Sequence, residues 1–150
     1  MAEIRPEVWE EREIIRDSGE IPEVAYWNSL YYLEEDPEGP RLKLTAAEKR
    51  LLKRAVLERY LFIILRDLTV ANIGKPHYRG VRRAMINWER LKLFARREKF
   101  SREALRQQVL EYLRLFLAEA KAQGVSLDVG PVELKEFVRD LSFSPKALGG

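Results

Sequence analysis

From Thr45 to Leu68 the chain runs without glycine or proline, and its apolar side chains recur at three- and four-residue spacing. At about 100° per residue, Leu52, Val56 and Ile63 fall on one line, while Leu57, Leu61, Ile64 and Leu68 fall on the opposite side. A helix apolar on both sides is surrounded by other elements, so residues 45–68 are predicted as the central helix of a bundle. Its start is marked by Thr45-Ala-Ala-Glu48. There the threonine hydroxyl accepts from the amide three residues on, and the glutamate reaches back to the cap amide.

The same periodicity predicts two further long helices. One covers about 78–97, with Val81, Ala84, Met85, Trp88, Leu91 and Ala95 on one face. The other covers 101–123, capped by Ser101, carrying Leu105, Val109, Tyr112, Leu113, Phe116 and Ala120 inward and stopping at Gly124. Shorter helices are expected at both ends. Pro6 suits the first turn of a helix over 6–17, with Val8, Glu11, Arg12 and Ile15 at helical spacing before Ser18-Gly19. Pro22 opens a second helix to about Glu34, with Trp27, Leu30 and Tyr31 on one side. Pro131 begins a last one with Leu134, Phe137, Val138 and Leu141, followed by a loose tail over 142–150. Asp36-Pro-Glu-Gly-Pro40 and Gly74-Lys75-Pro76 break the chain. No segment sustains an alternation of period two, and Arg41 to Leu44 is too short to seed a sheet. The prediction is an all-α helical bundle forming one domain over 1–150, its long helices antiparallel neighbours across short loops.

Composition narrows the chemistry. The chain of 150 residues has no cysteine, which removes disulfides, thiolate metal sites and cysteine nucleophiles, and a single histidine, His77. Its longest apolar run, Tyr60 to Leu65, falls far short of the roughly 20 residues of a membrane span. The first residues show no basic, apolar leader, and a cytoplasmic setting is the default expectation. No internal repeat of solenoid period is visible.

Charge changes the picture more. The formal net charge of +3 is a cancellation. Residues 1–40 carry 3 basic and 12 acidic groups, residues 41–106 carry 19 and 6, and residues 107–150 carry 5 and 6. The nets are −9, +13 and −1.

The most informative basic feature lies in the helix over 78–97. Arg79, Arg83, Arg90 and Arg97 fall within about 40° of one another on the wheel, opposite the Val81/Trp88/Ala95 face. Arg82 lies beside this stripe and Lys75 just before the helix, while Ile86 and Leu93 next to it suggest partial cover. Guanidinium groups in a row donate in a fork to phosphate or carboxylate, and such a stripe is also what any solvated helix presents. One expectation is that Glu10, Glu11, Glu13, Glu34, Glu35, Asp36 and Glu38 lie over the stripe, in the same chain or in a partner copy.

Other motifs fail at their decisive positions. A helix-turn-helix laid over Asp67 to Trp88 places Gly74 and Pro76 where two packed helices need apolar side chains. Histidine phosphotransfer domains carry their histidine inside a helix with Lys-Gly two residues on. Here Pro76 puts His77 at a helix start and Arg79-Gly80 comes one residue too early. A carboxylate-bridged di-metal bundle needs Glu-x-x-His twice, and the scattered glycines form no phosphate loop. No catalytic residue, metal ligand or cofactor is therefore assigned. Arg59 and Arg66, beside Ile63 and Val56, are expected to snorkel or to pair with acids of the first quarter. The aromatic set Trp27, Tyr31 and Tyr32 reads as core or oligomer contact ahead of a stacking platform for bases.

The functional expectation is a non-enzymatic helical bundle acting by protein contacts, as an adaptor or a homo-oligomer. The alternative is sequence-independent nucleic-acid binding through Lys75, Arg79, Arg82, Arg83, Arg90 and Arg97.

Overall fold

A computed structural model describes residues 3–70 and 78–122. All regular structure among them is helical: α1 (Pro6–Asp17), α2 (Pro22–Leu30) continued by a π turn (Tyr31–Glu35), α3 (Ala46–Val70), α4 (Tyr78–Arg97) and α5 (Arg102–Ala122). The architecture is the all-α one expected from the periodicity, with α3, α4 and α5 running 25, 20 and 21 residues. Both predicted sides of α3 are lined by buried residues, Leu52 and Val56 on one and Leu57, Leu61 and Ile64 on the other, while Ile63 is half-buried. The predicted break at 74–76, the Gly124 stop, the short helix from Pro131 and the tail over 142–150 lie outside the described residues, as do the side chains of Leu68, Val81 and Ala120.

The chain divides into two compact units, Met1–Tyr60 and Leu61–Gly150, with the boundary inside α3. In the first unit, Pro6 and Pro22 occupy the opening turns of α1 and α2, where a fixed φ favours the helix and a missing N–H removes no bond. Val8, Glu11 and Ile15 form the buried stripe of α1, which packs on α2. Ser18 is extended and ends α1, its Oγ accepting from the Glu20 amide at 3.0 Å. Beyond Leu30 the helix continues to Glu35 but widens, with the Asp36 amide donating to the Tyr31 carbonyl at 2.8 Å. The wider turn leaves Leu33 fully buried and Tyr31 and Tyr32 exposed. The loop then folds back on this turn. Asp36 accepts from the Glu38 and Gly39 amides, and a Cβ on Gly39 would collide with the Tyr32 carbonyl, so only glycine fits there.

The start of α3 forms the predicted capping box. The Glu48 amide donates to Thr45 Oγ1 at 3.1 Å and the Thr45 amide donates to Glu48 Oε1 at 3.0 Å. Arg5, absent from the sequence expectations, closes on the same carboxylate through its backbone N–H and two guanidinium nitrogens at 2.7–3.1 Å.

In the second unit, Leu61, Ile64 and Leu65 of α3 are buried, as are Ala84, Trp88, Leu91, Phe94 and Ala95 of α4. The buried face of α4 is centred nearer Leu91 than Trp88. That shift brings in Phe94, which the prediction omitted, and leaves Met85 exposed, which the prediction buried. The helix ends in a Schellman arrangement, with Phe100 and Lys99 amides donating to the Ala95 and Arg96 carbonyls at 2.9 and 3.2 Å. Lys99 holds the left-handed position with φ 60°. Ser101 caps α5 by accepting from the Ala104 amide at 3.0 Å, and Val109 and Leu113 are buried while Leu105, Tyr112 and Phe116 are half-buried.

Candidate functional site

The basic face of α4 follows from its helical phase. With one side occupied by Leu91 and its buried neighbours, the opposite side presents Arg82, Arg83, Arg90 and Arg97, all exposed. Arg79 is described in its backbone alone, and Lys75 lies outside the described residues. The four described arginines are not equivalent. Arg83 lies 3.7 Å from the buried carboxylate of Asp67 on α3, with its own side chain 64% exposed. Arg82 and Arg90 make no ion pair among the described residues. Ile86 and Leu93 are partly covered. They are 42% and 45% exposed and sit between the arginine rows, so this face is mixed, apolar along its middle and cationic at its edges.

Of the seven acids expected over this stripe, Glu11, Glu13 and Glu34 have partners inside the first unit. Glu11 is buried and accepts from Ser29 Oγ at 2.9 Å, tying α1 to α2. Burial pushes its carboxyl above the usual range, against the lowering effect of the serine bond, and Glu10 adds to the rise. Glu13 sits 2.8 Å from Arg12 and 3.5 Å from Arg16, and Glu34 lies 3.8 Å from Lys49. The three arginines of the first quarter are likewise used inside their unit. Arg5 holds Glu48, whose carboxyl it draws down to about 2, and Arg12 and Arg16 reach Glu58 at 3.8 and 2.8 Å. Arg59, expected on an acid or snorkelling, donates at 3.2 Å to the Arg16 carbonyl, where the last turn of α1 leaves an acceptor open. Arg66 is exposed and lies 5.8 Å over the Phe62 ring, the snorkelling geometry.

A second exposed face lies on α2 and its π turn. Tyr26 is the buried aromatic of α2, whereas Trp27, Tyr31 and Tyr32 are exposed, which removes the core half of their reading as core or oligomer contact. Trp27 is 55% and Tyr31 53% exposed, and Ile21 and Val24 extend the same side of the helix toward its start. Tyr26 meets the Trp27 ring edge-on with ring centroids 5.3 Å apart. A run of aromatics at helical spacing reads the same in sequence whether it is covered or not, so only the burial of Ala25, Tyr26 and Ser29 reveals which side α2 turns inward.

Among the described residues, no group of three or more histidine, aspartate or glutamate side chains is placed to hold a metal ion, and no helix is long and apolar enough to cross a membrane. The model of a family described as a repeat of unknown function, DUF7826, matches residues 4–143. The chain belongs to the DUF7826 family. No curated protein and no solved structure matches it. The DUF7826 span takes in α1 to α5 and the π turn, so the basic face of α4 and the aromatic face of α2 both lie within the matched residues.

Proposed function

We propose that the chain is a non-catalytic protein-contact module of the cytoplasm. The observation that carries this reading is the exposed side of α2, with Ile21, Val24, Trp27 and Tyr31 uncovered along one helix. Contiguous exposed apolar surface marks interaction sites, and tryptophan and tyrosine supply large contact area at low entropic cost. The mixed face of α4 supports the same reading, because Ile86 and Leu93 between the arginines suit an amphipathic partner better than a bare phosphate backbone. The test is affinity purification of the tagged chain from its native cell with and without Trp27→Ser and Tyr31→Ser. A stoichiometric protein partner, or self-association, that disappears with the substitutions supports the proposal. A wild-type chain that is monomeric and unaccompanied rejects it.

A second reading rests on Arg82 and Arg90, exposed and without an ion pair among the described residues. Together with Lys75, Arg79, Arg83 and Arg97 they would bind nucleic acid without sequence preference. Such binding is steeply weakened by salt. A shift of labelled RNA or DNA that falls with salt and vanishes in Arg82→Glu/Arg90→Glu, helicity intact, would favour this reading.

A further inference from the structure

Resting on the protein-contact reading, we infer that the partner is a second copy of this chain, the exposed face of α2 in one copy docking on the exposed face of α4 in the next. The two faces are complementary in three respects. First, each carries an apolar centre: Trp27 and Tyr31 on α2, Ile86 and Leu93 on α4. Second, their charges are opposite. Residues 17–40, which contain α2 and the π turn, hold seven acidic groups and no lysine or arginine. The helix α4 holds seven basic groups and one acid, Glu89. Third, their lengths agree. The helical stretch Pro22–Glu35, preceded by exposed Glu20 and ended by exposed Glu35, runs roughly 20 Å, and Arg82 and Arg97 bracket the α4 stripe over about 22 Å.

Like-with-like pairing is disfavoured by the same charges. Two α2 faces would bring base-free acidic segments together, and two α4 faces would oppose rows of arginine. Contact between unlike faces sets acid against base and lets guanidinium groups stack on tryptophan and tyrosine rings. The family is described as a repeat, and a repeat unit buries its unpartnered faces on neighbouring copies. One helix face on another sits at the small end of specific interfaces, so the affinity belongs in the micromolar range.

The test is sedimentation of the full chain over a range of concentrations at low and high salt. The wild type is expected to self-associate, less so as salt rises. Trp27→Ser/Tyr31→Ser, which spoils the α2 face, and Arg82→Glu/Arg90→Glu, which spoils the α4 face, are each expected to weaken self-association by at least about tenfold. Mixing the two variants is expected to restore a one-to-one complex, because one retains an intact α4 face and the other an intact α2 face. Circular dichroism verifies helicity; if either variant loses it, Glu35→Lys or Ile86→Ser replaces it. Three results overturn the inference: an α4 variant that still self-associates like the wild type, a mixture that stays monomeric, or an association abolished by nuclease. A monomeric wild type overturns it too, and the broader protein-contact reading then stands or falls on whether native material yields a different protein dependent on Trp27 and Tyr31.

Discussion

At Glu48, four hydrogen bonds converge on one buried carboxylate, from the Thr45 amide, the Arg5 amide and two Arg5 guanidinium nitrogens. The Arg5 side chain is the largest cause of its fall from the ordinary 4.5 to about 2. A carboxyl held low contributes stability that is fully present above 4.5 and is lost as pH falls through about 2. Glu48→Gln is therefore expected to cost about 2 kcal/mol at neutral pH, through the weakened cap and the lost charged bonds. Urea unfolding at neutral and acid pH checks this, the gap to wild type closing toward pH 2. Glu11 behaves oppositely, since its carboxyl is raised by burial. Its contribution is fully present below 4.5 and lost as pH rises through the elevated value. Glu11→Gln, which keeps an acceptor for Ser29, is expected to stabilise the fold at neutral pH and to give no gain below 4.5 by the same assay. The Thr45 and Glu48 pair was legible in the sequence because its partners lie three residues apart. Arg5 was not, because it meets Glu48 from 43 positions away.

For the helices, local chemistry carried most of the information. Proline at the first turn, Thr45 and Ser101 at caps, and uninterrupted periodicity gave the bounds of α1 and α4 and placed α3 and α5 within two residues. What stayed hidden depends on neighbours distant in sequence. The π turn has no compositional mark; it is visible only in the Asp36 amide reaching back to Tyr31 and in the loop pressed on it by Gly39. Whether the aromatic side of α2 faces in or out was not legible, because aromatic residues satisfy the same pattern in a core and on a contact surface. The device that stops α4 was concealed although its place was not, since Lys99 occupies a left-handed position that glycine normally takes. Lys99→Gly relieves that strain and is expected to raise stability by about 0.5–1 kcal/mol, after the entropy glycine gains in the unfolded chain is set against it. Differential scanning calorimetry measures it.

On the scale of the molecule, the segregation of charge is real but its two parts have different fates. Of the acids in residues 1–40, Glu13 and Glu34 are matched inside the first unit, by Arg12, Arg16 and Lys49. Among the arginines of α4, Arg83 is anchored on Asp67, whereas Arg82 and Arg90 make no ion pair among the described residues. Position by position, this predicts unequal responses to charge reversal. Arg83→Glu sets a carboxylate against buried Asp67 and is expected to destabilise by about 1–2 kcal/mol, whereas Arg82→Glu and Arg90→Glu should stay within about 0.5 kcal/mol of wild type. Thermal melts of the three variants distinguish them, and equal losses at all three sites would contradict the assignment of Arg83. The base-free stretch that bears the α2 stripe has a practical consequence of its own. Between Arg16 and Arg41 there is no site for trypsin and no amine for a lysine-reactive cross-linker. The whole aromatic face is therefore released as a single peptide, residues 17–41, and a label placed on Trp27 or Tyr31 can be read from that one mass.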